Sequence, residues 1–217
     1  TLDLDGTISN SAGSSELTIT GASDLGGSIT TSGTQDYEGA ITLTGNTTLV
    51  SGDQITFDTT VNSETDETNN LTVTATTLQV DGIIGGTQTL GVISITGILD
   101  LNAAITNATS LSVSSTSNLG ADVTTSSTQT YTSGVTLSGA DRTLTASIVN
   151  FGSTLAGGTN GLTITGNLDL DGAATGLTTL AVSGTSNLGA NVTTSSTQTY
   201  TGDVTISADI SLNTSGG

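Results

Sequence analysis

Nineteen carboxylates and one guanidinium, Arg142, are the only charged side chains in this chain of 217 residues, and it has no His or Cys. That inventory limits the available chemistry. Without His or Cys there is no nucleophile–base pair of the usual kind and no zinc site. A β-elimination on an acidic sugar needs a basic group to take the proton, and only Arg142, in the turn "GADRT", is on offer. Galacturonase-type hydrolysis needs acidic groups converging on one bond. The phrase "LDLDG" sets Asp3 and Asp5 beside a turn, and Asp169 and Asp171 echo it. Carboxylates that recur with a structural repeat read as part of the scaffold, and the chain reads as no enzyme.

The ligand such oxygen donors suit best is Ca²⁺. Candidate metal residues are Asp3, Asp5, Asp169 and Asp171, with Glu64, Asp66 and Glu67 in the acidic stretch "NSETDETNN". Neither the EF-hand spacing nor the nine-residue calcium repeat is present. Alternation of Asp with Leu favours a plainer reading, with Asp on a solvent face and Asp-Gly at a corner. The acidic stretch reads as a solvated loop. Five Asn-x-Ser/Thr sequons match the frequency that a Ser/Thr-rich chain produces by chance and support no glycosylation site.

The elements that carry these residues are strands. Thr (49) and Ser (28) make up more than a third of the chain, with 29 Gly and no Pro. Phrases such as "LTITG", "ITLTG" and "LTVTAT" alternate β-branched or apolar residues with Thr, and Gly, Asn and Asp punctuate them. Such alternation predicts strands and turns. No stretch keeps a helical apolar period. The net charge of −18 argues against nucleic acid and anionic lipid, which need Lys and Arg. No apolar run is long enough to insert in a membrane as a helix.

Repeats set the architecture. "SNLGADVTTSSTQTY" (Ser117–Tyr131) returns as "SNLGANVTTSSTQTY" (Ser186–Tyr200), and "SDLGGSITTSGTQDY" (Ser23–Tyr37) precedes both. The interval from Ser23 to Ser117 is longer than that from Ser117 to Ser186 by about 25 residues. A globular domain cannot lose that much of its core, whereas a solenoid gains or loses whole rungs. The two intervals therefore predict a parallel β-helix of about nine rungs of roughly 23 residues, with four rungs in the longer interval and three in the shorter. The repeats run over 17–110, 111–179 and 180–217, and Leu71–Gly82 and Ile93–Asn102 read as a duplicated rung. The phrase "VTTSSTQTY" reads as one face of a rung, with Val inward, Ser-Ser near a corner and Tyr ending the strand. Tyr37, Tyr131 and Tyr200 are equivalent and read as core or corner residues rather than a sugar-binding face. Thr-x-Thr pairs (Thr18/Thr20, Thr42/Thr44, Thr72/Thr74, Thr163/Thr165) resemble the arrays of ice-binding solenoids, but their irregular spacing argues against one flat face.

The text "LTITGNLDLDG … TSNLGANVTTSSTQTYTGDVTI" resembles the shafts of large repetitive bacterial exoproteins, the filamentous-haemagglutinin-like and autotransporter-like adhesins. The resemblance spans essentially the whole chain. It implies a right-handed coil, an extracellular or cell-surface location in a bacterium, and a role as shaft, fibre or adhesin. Expected partners are neighbouring solenoid segments, copies of the chain stacked end to end, surface glycans or other cells. The alternatives are a self-assembling filament subunit and a carbohydrate-binding β-helix. A start inside one repeat and a stop inside another read as a segment of something longer or as a processed product.

Overall fold

A computed structural model describes residues 1–215. The last two positions of the 180–217 repeat lie outside the described residues. Short strands follow one another from Leu2–Leu4 to Leu212–Thr214, with no helix among the described residues. Every pairing between strands is parallel, and each strand bonds to its counterpart one turn along the chain. The chain is thus a β-solenoid with three sides per turn.

The sides can be followed by their inward residues. Side 1 stacks Leu2, Ser23, Ile41, Val61, Ile84, Ile105, Val123, Leu144, Ile164, Val182 and Tyr200. Side 2 stacks Ile8, Ile29, Leu49, Val73, Ile95, Val113, Tyr131, Phe151, Leu170, Leu188 and Ile206. Side 3 stacks Leu17, Gln35, Ile55, Leu78, Leu99, Ser117, Val135, Leu155, Ala174, Val192 and Leu212. Eleven turns result. The steps along side 1 range from short ones, such as Ser23 to Ile41, up to the long one from Val61 to Ile84. At about 4.8 Å per turn the stack is about 48 Å tall between its end strands.

The expected rung of roughly 23 residues is corrected to about 20, and the expected nine turns to eleven. The error lay in assuming that the repeats stack on themselves. Each matched copy is one circuit of three sides, but the copies start on different sides. Ser23–Leu25 lies on side 1, Ser117–Leu119 on side 3 and Ser186–Leu188 on side 2. Tyr37 accordingly lies on side 3, Tyr131 on side 2 and Tyr200 on side 1. The interval from Ser23 to Ser117 is therefore four and two-thirds turns, and that from Ser117 to Ser186 three and two-thirds. Their difference is still one turn. The duplicated phrase supplies it in place: Leu71–Val80 stacks directly on Leu90–Leu101.

Alternation explains the interior. In Ile41–Leu43, Val123–Thr125 and Leu180–Val182 the outer two residues are buried and the middle one faces solvent. The core is a narrow column of Leu, Ile and Val, with Tyr37, Phe57, Tyr131 and Phe151 as its largest members. Backbones approach closely at corners where a strand bends without stopping. In Arg142–Phe151 over Leu162–Leu170 the register slips by one residue between Thr145 and Ile148, opposite Gly166. Gly166 has φ +135°, and a Cβ there would collide with the Ala146 carbonyl; Gly97 repeats the arrangement against Ala75 at φ +131°. Only glycine fits both the angle and the space. Gly166→Ala is expected to cost about 2 kcal/mol or more, read as a lower urea midpoint at unchanged slope.

Candidate functional site

The acidic candidates do not converge. Asp3 points outward from side 1 in the first turn, and Asp5 is exposed at the following corner. Asp169 faces outward from side 2 in the ninth turn and accepts a 2.8 Å hydrogen bond from Asn187 Nδ2 one turn on. Asp171 is exposed beyond the end of that strand. Glu64, Asp66 and Glu67 sit in the exposed loop after Val61–Ser63, where Asp66 has φ 66° and Glu67 accepts from Asn69 Nδ2 at 2.7 Å. No three acidic groups come together to hold a metal among the described residues. Arg142 is committed locally: its Nη2 and Nε donate to the Ser138 carbonyl at 2.6 and 3.2 Å, closing the turn that contains it. A shallow depression beside Thr159 is lined by Gly176, Leu177, Thr193, Thr194, Ser195 and Ser215, none of which is an acid, a base or a strong ligand.

The site that the repeats build is the corner inside "VTTSSTQTY". This phrase forms two sides and the corner between them, rather than one face. In the second copy Val123–Thr125 forms one side and Thr128–Tyr131 the next. Alternation turns Val123, Thr125, Gln129 and Tyr131 inward, and all four are buried. Burying a Gln amide is costly unless each polar atom is matched. Gln129 Nε2 donates to the Val123 carbonyl across the corner at 3.1 Å and to the Thr145 carbonyl of the next turn at 2.9 Å. Tyr131 OH donates to Gln129 Oε1 at 3.3 Å. The Thr125 hydroxyl donates to the Ser127 carbonyl at 3.5 Å.

The other two copies repeat this network. Gln35 Nε2 reaches the Ile29 carbonyl (3.4 Å), Thr31 Oγ1 (3.2 Å) and the Val50 carbonyl of the next turn (2.7 Å). Gln198 Nε2 reaches the Val192 carbonyl (3.3 Å), Thr194 Oγ1 (3.5 Å) and the Asn213 carbonyl (2.8 Å). Tyr37 and Tyr200 donate to their glutamines at 2.9 and 3.2 Å. One turn further on, Phe57 packs on Tyr37 and Phe151 on Tyr131, with ring centroids 5.7 and 5.5 Å apart. The module is a staple: it ties a corner shut and ties that corner to the next turn. It serves at all three corners of the coil, once in each copy.

Tyr37 and Tyr131 are thus core residues whose buried rings present no surface to a sugar, and Tyr200, on the last turn of side 1, is half-buried against the end of the core. Their glutamine partners were not foreseen. The signal was present: Gln holds the same place in all three copies, two residues before Tyr, and so shares its inward parity. A second unforeseen feature is the inward serine of "SDL" and "SNL". The hydroxyls of Ser23, Ser117 and Ser186 are buried with no hydrogen-bond partner. Comparison of the chain with protein-family profiles, curated proteins and solved structures returns no match.

Gln129→Leu is expected to cost about 3 kcal/mol, because it strands the Tyr131 hydroxyl and two carbonyls. Thr130→Ala, on the outward face between them, should change stability by less than about 0.5 kcal/mol. Chemical denaturation of the two variants measures the contrast. A pH dependence follows as well. Burial raises the Tyr37 and Tyr131 phenols and pushes Tyr200 up to about 12. The unfolded chain releases phenolic protons near pH 10 and the folded chain only above that. Stability should therefore be unaffected by tyrosine below about pH 10 and fall as pH rises beyond it. Phenolate absorbance during alkaline titration should show Tyr200 ionising first and the other two only with unfolding.

Proposed function

We propose that this chain is a mechanical element, a stiff shaft segment of an extracellular adhesive or fibrous protein, and performs no catalysis. The observation that carries this reading is the continuity of the stack. Three parallel ladders run through eleven turns, with staples at the corners and a filled core. Support also comes from the described surface, where acidic side chains stay dispersed and the one arginine is spent on a turn. The likeness of the text to bacterial exoprotein shafts points the same way and supplies the bacterial surface as the proposed setting.

A dispersed acidic surface keeps such a rod hydrated and makes its flanks repel one another. A rod of this kind positions whatever its ends carry. The second reading is a filament subunit. It is favoured by Val204, Ile206 and Leu212, which are exposed on the last described turn. Further solenoid turns of a longer protein, or another copy, would bury them. Sedimentation and electron microscopy at rising concentration separate the two: rods of constant length support the shaft and lengthening rods the filament.

Pulled between its ends, the purified chain should lengthen in steps of whole turns, about 60 Å for each turn released. A single featureless extension would contradict the shaft reading. So would saturable glycan binding or uronate cleavage by the purified chain.

A further inference from the structure

The Ser/Thr-rich phrases, irregular along the chain, become regular in space on side 2. Its first outward column reads Thr7, Ser28, Thr48, Thr72, Ser94, Ser112 and Thr130, each the registered partner of the next. Two residues along the strands runs a second column of Ser9, Thr30, Val50, Thr74 and Thr96. Every position but Val50 bears a hydroxyl, and every one is exposed or half-exposed. The other paired threonines lie elsewhere: Thr18 belongs to side 3, and Thr42 and Thr163 to side 1.

Two further properties separate this face from the rest. Over the first seven turns neither column carries a charge, on a chain of net charge −18, and the first column meets its first carboxylate, Asp169, only in the ninth turn. Side 1 has Asp3 and Asp24 in its corresponding column, and side 3 has Asp36 and Asp100. Its hydroxyls are also almost unused by the protein. Within the two columns only Thr130 takes part in a side-chain hydrogen bond, accepting from Asn150 Nδ2 at 3.4 Å. Elsewhere on the coil outward polar groups pair between turns, as Asn118 does with Asp100 and Gln54 with Gln79.

The fold thus holds a registered net of hydroxyls and methyls, about 4.8 Å apart between turns and about 6.6 Å apart along the strand. A ligand that matches must itself be a repeating two-dimensional lattice of hydrogen-bonding groups without charge. Crystalline water is such a ligand, with oxygen spacings in this range. The Thr methyls order neighbouring water while the hydroxyls anchor it, and no carboxylate imposes an ionic hydration shell on it. A second protein surface is a poorer match. The two-column patch covers about 400 Å², half of what one partner contributes to a standard interface.

We propose that side 2, from the first turn through the seventh, is an ice-binding surface. The proposal stands on this face alone and is independent of the mechanical role. Its test uses the whole chain, labelled at its N-terminal amine, in two assays: incorporation into a growing ice hemisphere and inhibition of ice recrystallisation. The wild-type chain should enter the ice and inhibit recrystallisation. Thr48→Tyr combined with Thr72→Tyr should reduce both effects at least tenfold. Thr136→Tyr, on side 3, should leave them unchanged. Val50→Thr, which completes the second column, should strengthen them. Circular dichroism establishes that each variant is folded, and the Val50 variant decides the matter if the double variant is not. Exclusion of the wild-type chain from ice, equal loss in the side 2 and side 3 variants, or side-by-side pairing of the chain through this face without any effect on ice would overturn the proposal.

Discussion

The structure depends on the hydrogen-bonded step between one turn and the next. Each strand is parallel to the strand below it and bonded to it, so each side must keep the length and direction of its neighbours. Strand positions therefore stay in register over many turns, and variation in length is confined to the corners. The longest step along side 1, from Val61 to Ile84, contains the exposed acidic loop. The absence of Pro follows from the same constraint, since an interior Pro would remove a rung of the ladder. So does the inward alternation of modest apolar side chains. In this narrow column the fully buried aromatics come as stacked pairs, Phe57 on Tyr37 and Phe151 on Tyr131.

Because the three sides are alike in length and each pairs only with itself above and below, a module that fits one corner fits the others. The copies of "VTTSSTQTY" use this freedom. The interval from the second copy to the third carries the module back by one side, and so does the longer interval before it. What repeats in this sequence is a circuit of three sides, with no fixed orientation about the axis. The staple travels with the circuit because its partners are backbone carbonyls of its own turn and the next, which any side provides. Its polar groups hold a corner that Leu and Val alone would leave without hydrogen bonds for the inward-facing carbonyls. The unpartnered hydroxyls of Ser23, Ser117 and Ser186 are the weak points of the same circuit, each an unmet group of a kind that costs about 1–3 kcal/mol when buried.

Much of the fold was legible because the signals were local. The alternation in "LTITG" and "LTVTAT" marks which residues turn inward, and those residues are the core. The one-turn difference between the repeat intervals was legible too, since subtraction removes the unknown offset. The offset itself was not. Counting along the chain between copies gives no angle about an axis. The interval from Ser117 to Ser186 therefore read as three long turns rather than three and two-thirds shorter ones. The closer recurrence of inward residues, from Leu99 to Ser117 and again to Val135, carries the shorter period of the actual turns. The acidic candidates failed to gather for the same reason. Asp3 and Asp169 look equivalent in the text but sit on different sides, eight turns apart. The hydroxyl net was hidden in the same way, because its members become neighbours only once the register between turns is known.

The register itself is the central claim, and pulsed electron paramagnetic resonance tests it directly. The chain has no cysteine, so spin labels placed at Thr7→Cys and Thr130→Cys report on one pair alone. These residues occupy the same column of side 2, six steps apart. Parallel turns in register predict a narrow distribution centred at about 29 Å. A broad distribution, or a separation that fits nine longer turns with the two labels on different sides, would contradict the account.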